Sequence, residues 1–163
     1  MATANRNLSE YNKEFVPNGA DYKIGIVVSE WNETITLKLL EGAKKALLDN
    51  GVLEENIEVR FVPGTFELSL GAQFFCEMTN VDAIIAIGVV IQGETRHFDF
   101  VCQGATQGIM DTMLKYNKPI GYCVLTDENM QQSIDRAGGK YGNKGVDTAI
   151  AMMKMVELYR SFR

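Results

Sequence analysis

The stretch from residue 82 to 91 constrains this chain more than any other: Asp82-Ala83-Ile84-Ile85-Ala86-Ile87-Gly88-Val89-Val90-Ile91. After the leading aspartate, every position is apolar or glycine. A strand with one wet face alternates apolar and polar residues. An unbroken apolar run is covered on both faces, as in a parallel sheet lying between layers of helix. Parallel strands need crossover connections, so helices should separate the strands along the chain. The rest of the sequence meets that demand. Short β-branched runs predict strands at 22–28 and 57–62, the second closed by Pro63-Gly64, and a further strand at 119–125. Between them, apolar residues recur at helical spacing. Ile35, Leu39, Leu40, Ala43 and Leu47 form one stripe, stopped by Gly51. Residues 66–78 read as a second helix. Phe98, Val101, Cys102, Ala105, Ile109, Met113 and Tyr116 mark a third over 97–116. A short helix over 127–135, a Gly/Lys loop over 137–145 and a closing helix over 146–162 complete the order. The pattern predicts one α/β domain built on a mainly parallel four-stranded sheet.

Composition removes several classes of function. The chain has 163 residues, enough to bury roughly 70% of its unfolded surface without staples. Lys and Arg total 16 against 21 Asp and Glu, a net charge of -5, which argues against a nucleic-acid footprint. The longest apolar run is far below the ~20 residues of a membrane-spanning helix. One histidine and three scattered cysteines (Cys76, Cys102, Cys123) offer neither a disulfide framework nor a usual zinc site. Residues 1–20 are polar, without the apolar segment of a secretory signal. They read as an N-terminal arm, disordered or ordered against a neighbouring subunit, preceding a single domain over 21–163. The expectation is a cytoplasmic, metal-free protein.

In a parallel sheet, ligands bind beyond the carboxyl ends of the strands. Those ends are residues 29–32, 63–67, 89–97 and 125–129, and the chemistry-bearing residues cluster there. Gly93-Glu94-Thr95-Arg96-His97 follows the buried strand and opens a helix, where free backbone N–H groups favour an anion. The loop is neither a Walker A motif nor a GxGxxG fingerprint, and turn geometry alone also accounts for its glycine and threonine. His97 is placed for proton transfer, or for an ordinary helix-start hydrogen bond. Glu67 and Trp31, the single tryptophan, stand at two other strand ends. Each also fits a structural role, as a first-turn carboxylate and a packing aromatic. Arg136, Lys140 and Lys144 sit among four glycines, a basic loop able to grip phosphate or simply to face solvent.

Taken together, these segments resemble one family. Val62-Pro63-Gly64-Thr65-Phe66-Glu67-Leu68, then Gly88, Ile91, Gly93, Thr95 and His97-Phe98-Asp99, then Thr126, Glu128 and Asn129, and finally Arg136-Ala137-Gly138 with Gly142-Asn143-Lys144-Gly145 match lumazine synthase in order and separation. The similarity runs over about 22–162. It implies a flavodoxin-like, three-layer α/β/α sandwich. It also implies a transferase of riboflavin biosynthesis that condenses 5-amino-6-(D-ribitylamino)uracil with 3,4-dihydroxy-2-butanone 4-phosphate, releasing phosphate and water without cofactor or metal. By the same resemblance, Trp31 stacks on the pyrimidine, where many members carry Phe. Asn32 and Glu67 hold the ribityl hydroxyls, and the backbone around Thr65-Phe66 and Val90-Ile91 lines the ring. Gly93, Glu94, Thr95 and Arg136 hold phosphate, His97 transfers protons and Lys144 reaches the pyrimidine carbonyl. Tyr122 stands where the family usually has a second stacking Phe. Tyr122, Arg136 and Lys144 would come from the adjacent subunit of a pentamer. The short loop over 138–144 resembles members that build 60-chain icosahedral shells, and riboflavin synthase is a candidate partner. Three other readings compete: an archaeal-type riboflavin synthase, a non-enzymatic flavin-binding or shell protein, and a flavodoxin-like FMN carrier. The phosphate residues and His97 favour the synthase over the first. Retention of Glu67, His97, Arg136 and Lys144 argues against the second. Ser29-Glu30-Trp31-Asn32 lacks the phosphate loop that the third requires.

Overall fold

Strand β1 (Ile24–Ser29) is buried at all six positions, and its side chains alternate between two cores. Ile24, Ile26 and Val28 face one side; Val27 faces the other, where Gly25 leaves room for the Phe75 ring. Strand β3 (Ala83–Ile91) repeats this division, with Ile85, Ile87 and Val89 on one face and Ile84 and Ala86 on the other. Each fully buried aliphatic side chain of this kind contributes about 1.5–3 kcal/mol, so two such strands fix the centre of the molecule. The structure, a computed structural model, describes residues 7–163. Among them, β2 (Ile57–Val62) and β4 (Ile120–Asp127) flank the central pair in the order β2-β1-β3-β4, and all three pairings are parallel. Helices α1 (Glu33–Asp49) and α5 (Lys144–Ser161) cover one face, with Leu39, Leu47 and Met153 in its core. Helices α2 (Leu68–Met78) and α3 (His97–Tyr116) cover the other, through Leu68, Phe75 and Ile109. The result is the expected three-layer α/β/α sandwich with a flavodoxin-like arrangement.

Several local readings change: β1 begins at Ile24 instead of residue 22, α2 at Leu68 instead of residue 66, and α5 at Lys144 instead of residue 146. Strand β4 runs two residues past Leu125, because Thr126 and Asp127 pair with Val90 and Ile91. The following helix, α4, is correspondingly shorter, Met130–Arg136, capped by the Asn129 side chain on the Gln132 N–H. The expected Gly/Lys loop contains a small antiparallel hairpin, β5 (Ala137–Gly139) and β6 (Gly142–Asn143), with Gly138 and Gly142 at positive φ. Residues 1–6 of the arm lie outside the described residues. From residue 7 onward the arm makes hydrogen bonds to its own chain. The Leu8 N–H donates to the Tyr141 carbonyl at 2.7 Å, and the Asn143 N–H donates to Ser9 Oγ at 2.9 Å. Further on, Gly19 N–H donates to the Asn50 carbonyl at 2.9 Å. No helix among the described residues is long and apolar enough to cross a membrane.

Candidate active site

Three strand ends build one cleft, and each does so through a short turn. After β1 the chain turns at Asn32, which takes the left-handed conformation (φ 59°, ψ 47°) that asparagine tolerates better than most residues. Its carbonyl accepts the N–H groups of Ile35 and Thr36, so the turn leads directly into α1. Trp31, immediately before it, leaves 71% of its surface open. After β2, Pro63-Gly64 opens into a single 3-10 turn, Thr65–Glu67. Thr65 is buried and its Oγ1 donates to the Val89 carbonyl at 3.2 Å, tying this turn to β3. A side chain at Gly88 would come within 2.7 Å of that hydroxyl, so the close approach depends on glycine. Phe66 is held outward against Gly104 of α3, and Glu67 is exposed beside Gly64. After β3, residues 92–96 are exposed, and Thr95 Oγ1 accepts the His97 N–H at 3.4 Å where α3 begins.

The space among these turns is a cleft of about 780 Å3. Trp31, Asn32, Thr65, Phe66 and Glu67 line it from β1 and β2, and Val90, Ile91, Gly93, Thr95 and His97 line it from β3. Glu94 lies in the same exposed loop, outside the lining. Sequence reasoning missed several walls: Gly64, Val89, Phe98, Phe100, Val101 and Met130. Phe100 had a usable signal, since it falls off the apolar stripe of its helix and is therefore an aromatic without a core to enter; it is 63% exposed. The cleft thus offers four aromatic side chains, one carboxylate, one imidazole and the free backbone amides that open a twenty-residue helix. Such a set can stack on a planar ring, bind hydroxyls, hold an anion and move a proton. Among the described residues, no three His, Cys, Asp or Glu side chains gather as metal ligands.

Tyr122, Arg136 and Lys144 do not line this cleft. Tyr122 faces a second groove of about 890 Å3 with Cys102, Thr106, Gln107 and Thr126; Phe98 touches both spaces. Thr106 Oγ1 donates its one proton to the Cys102 carbonyl at 2.7 Å, so the Tyr122 hydroxyl is the donor in its 2.8 Å bond to Thr106. Burial pushes the Tyr122 phenol above its ordinary pKa, which keeps it neutral. Arg136 ends α4, donating to the Gln132 carbonyl at 2.9 Å with its guanidinium over the Tyr141 ring. Lys144 opens α5 and pairs with Asp147 at 2.6 Å.

Comparison with known proteins agrees with this architecture. Residues 21–160 match the family model described as 6,7-dimethyl-8-ribityllumazine synthase. The chain is 57% identical over 155 residues to a protein of that name from Flavobacterium johnsoniae, covering 95% of this chain and 82% of the relative. It is 54% identical to one from Christiangramia forsetii, covering 97% and 95%, and 53% identical to one from Parabacteroides distasonis, covering 96% and 98%.

Proposed function

Because the chain belongs to the 6,7-dimethyl-8-ribityllumazine synthase family, its reaction is that family's, and we propose that the cleft beyond β1, β2 and β3 carries it. The enzyme is a transferase of riboflavin biosynthesis. It condenses 5-amino-6-(D-ribitylamino)uracil with 3,4-dihydroxy-2-butanone 4-phosphate and releases phosphate and water. One observation supports the location: a single cleft gathers Trp31, Glu67, Gly93, Thr95 and His97 from three separate strand ends. In this reading Trp31 stacks on the pyrimidine while Thr65, Phe66, Val90 and Ile91 line it. Asn32 and Glu67 bind the ribityl hydroxyls. The backbone of Gly93, Glu94 and Thr95 receives phosphate, with its charge favoured by the start of α3. His97 moves protons during imine formation and phosphate elimination. The substrate amine is itself the nucleophile, so the protein needs no nucleophilic side chain and acts largely by holding two reactants together.

Tyr122, Arg136 and Lys144 complete the site from a neighbouring subunit, Tyr122 as a second stacking ring, Arg136 on phosphate and Lys144 on the pyrimidine carbonyl. Two features support that assembly. These side chains stand away from their own chain's cleft, and Leu70, Phe74 and Met78 leave an exposed apolar stripe along α2. We read the chain as an arm over 1–20 and one domain over 21–163, forming a homopentamer that packs into a 60-chain icosahedral shell with riboflavin synthase as its candidate partner. The three cysteines are free thiols, which supports a reducing, cytoplasmic compartment. Incubation with both substrates, followed by lumazine absorbance, tests the activity. Formation of the product is expected, and its absence with a folded protein overturns the reading.

A further inference from the structure

We propose that Asp127 is a positioning residue for the phosphate substrate, acting through Arg136. The proposal rests on the reading that Arg136 grips phosphate. Asp127 is the last residue of β4, paired with Ile91 at the wall of the cleft, yet its side chain is only 7% exposed. A carboxylate taken this far out of water requires partners. One oxygen, Oδ2, accepts a 2.7 Å hydrogen bond from Ser133 Oγ, itself fully buried. The other, Oδ1, lies 4.0 Å from Arg136 Nη1, and among the described residues Arg136 is its sole ion-pair partner. Ser133 and Arg136 are three residues apart on α4 and therefore share a face of that helix. A single carboxylate thus fixes both the short helix that carries the arginine and the charged end of the arginine itself.

The guanidinium is held on three sides. Nη1 donates back to the Gln132 carbonyl at 2.9 Å, Cζ lies over the Tyr141 ring at 5.2 Å from its centroid, and Asp127 stands beside it. Arginine has five N–H donors in a planar fork, so one edge is tethered while the other remains to meet a phosphate. An arginine restrained in this way gives up little freedom when the anion arrives. Without the Asp127 charge, helix α4 still has its Asn129 cap, but the guanidinium loses its counter-charge and can swing. The structure therefore assigns Asp127 an effect on one substrate alone: it should tighten binding of the phosphate ester without touching the pyrimidine.

The test is Asp127→Asn in the assembled enzyme, a change that keeps the acceptor for Ser133 and removes only the charge. We expect KM for 3,4-dihydroxy-2-butanone 4-phosphate to rise about three- to tenfold, as for loss of one partly screened charge partner. Inhibition by inorganic phosphate should weaken by the same factor. The KM for the uracil substrate and kcat should stay within about twofold, a split that a general loss of packing does not produce. In an Arg136→Ala background, Asp127→Asn should add nothing further, because the two residues act as a unit. Unchanged phosphate constants, a fall in that KM, a parallel rise of both KMs, or full additivity with Arg136→Ala each overturns the proposal. If Arg136→Ala itself leaves the phosphate KM unchanged, it is the reading of Arg136 that fails. Should Asp127→Asn not fold, Asp127→Glu carries the test, since it moves the charge by one methylene. A phosphate KM raised about two- to threefold with the uracil KM unchanged supports the proposal, and unchanged constants overturn it.

Discussion

His97 stands at the mouth of the cleft as the first residue of α3, with its side chain open to solvent and its N–H held by Thr95. Nothing covalent depends on its imidazole, and the departing phosphate can itself take up a proton near pH 7. His97→Ala is therefore expected to lower kcat by about ten- to hundredfold, the lower part of the range for general acid–base catalysis. Steady-state kinetics with both substrates checks this; an unchanged kcat would leave His97 a helix-start residue without a catalytic task. At this scale the sequence was most informative where residue type and strand end coincide. Trp31, Glu67 and His97 each stand in the short connection that follows an expected strand, and each lines the cleft. Met130 gave no such signal, because a methionine at a helix start reads as core; here it is 42% exposed. Asp127 was hidden for a different reason. The sequence places it at the start of a short helix over 127–135, whereas the ladder to Val90 and Ile91 holds it in the strand.

The elements were legible where punctuation is sharp and blurred where tertiary contacts decide. Strand β2 and helix α3 match their expected limits, the first closed by Pro63-Gly64, the second ended by left-handed Asn117. The hairpin β5–β6 was not foreseeable. Its glycines announce turns, but its pairing is short and is secured by groups distant in sequence. Asn143 shows how. Its Nδ2 donates to the Lys38 carbonyl of α1 at 2.8 Å, while its Oδ1 caps α5 on the Gly145 N–H at 2.8 Å. Helices α1 and α5 approach so closely here that a Cβ at Gly145 would lie 2.0 Å from the Leu39 carbonyl oxygen. That obstacle is backbone, which cannot swing aside. Gly145→Ala is expected to destabilise the fold by about 1–3 kcal/mol or more, despite alanine's better helix propensity. Chemical denaturation reads the change directly, and a neutral or stabilising substitution would show that the helices can separate at little cost.

At the scale of the whole molecule, stability should depend on alkaline pH most strongly through two buried groups. Burial pushes the Cys123 thiol up to about 12. Burial, with a 2.6 Å bond to Glu157, also raises the Tyr22 phenol. The unfolded chain releases a thiol proton near pH 8.5 and a phenol proton near 10, while the folded state retains both. Stability is therefore full below about pH 8.5 and declines above it, by at most about 1.4 kcal/mol per pH unit for each proton. Thermal or denaturant midpoints across pH 7–11 should show this decline. Cys123→Ala should flatten its first part, and a profile unchanged by that substitution would refute the assignment. The layered sheet, by contrast, was visible early because unbroken apolar strands such as β3 admit few other surroundings. The sheet order has a consequence for how the chain is made. β1 is synthesised before any of its partners, yet it ends between β2 and β3, joined from Ile24 onward to Ile57 on one side and Ala83 on the other. As the polypeptide leaves the ribosome, its stickiest early segment therefore stays half-paired until β3 has emerged. During that interval α1, β2 and, once made, α2 shelter its faces and one of its edges, but a nascent chain stalled between Val62 and Ala83 still presents an open strand edge that invites chaperones or aggregation.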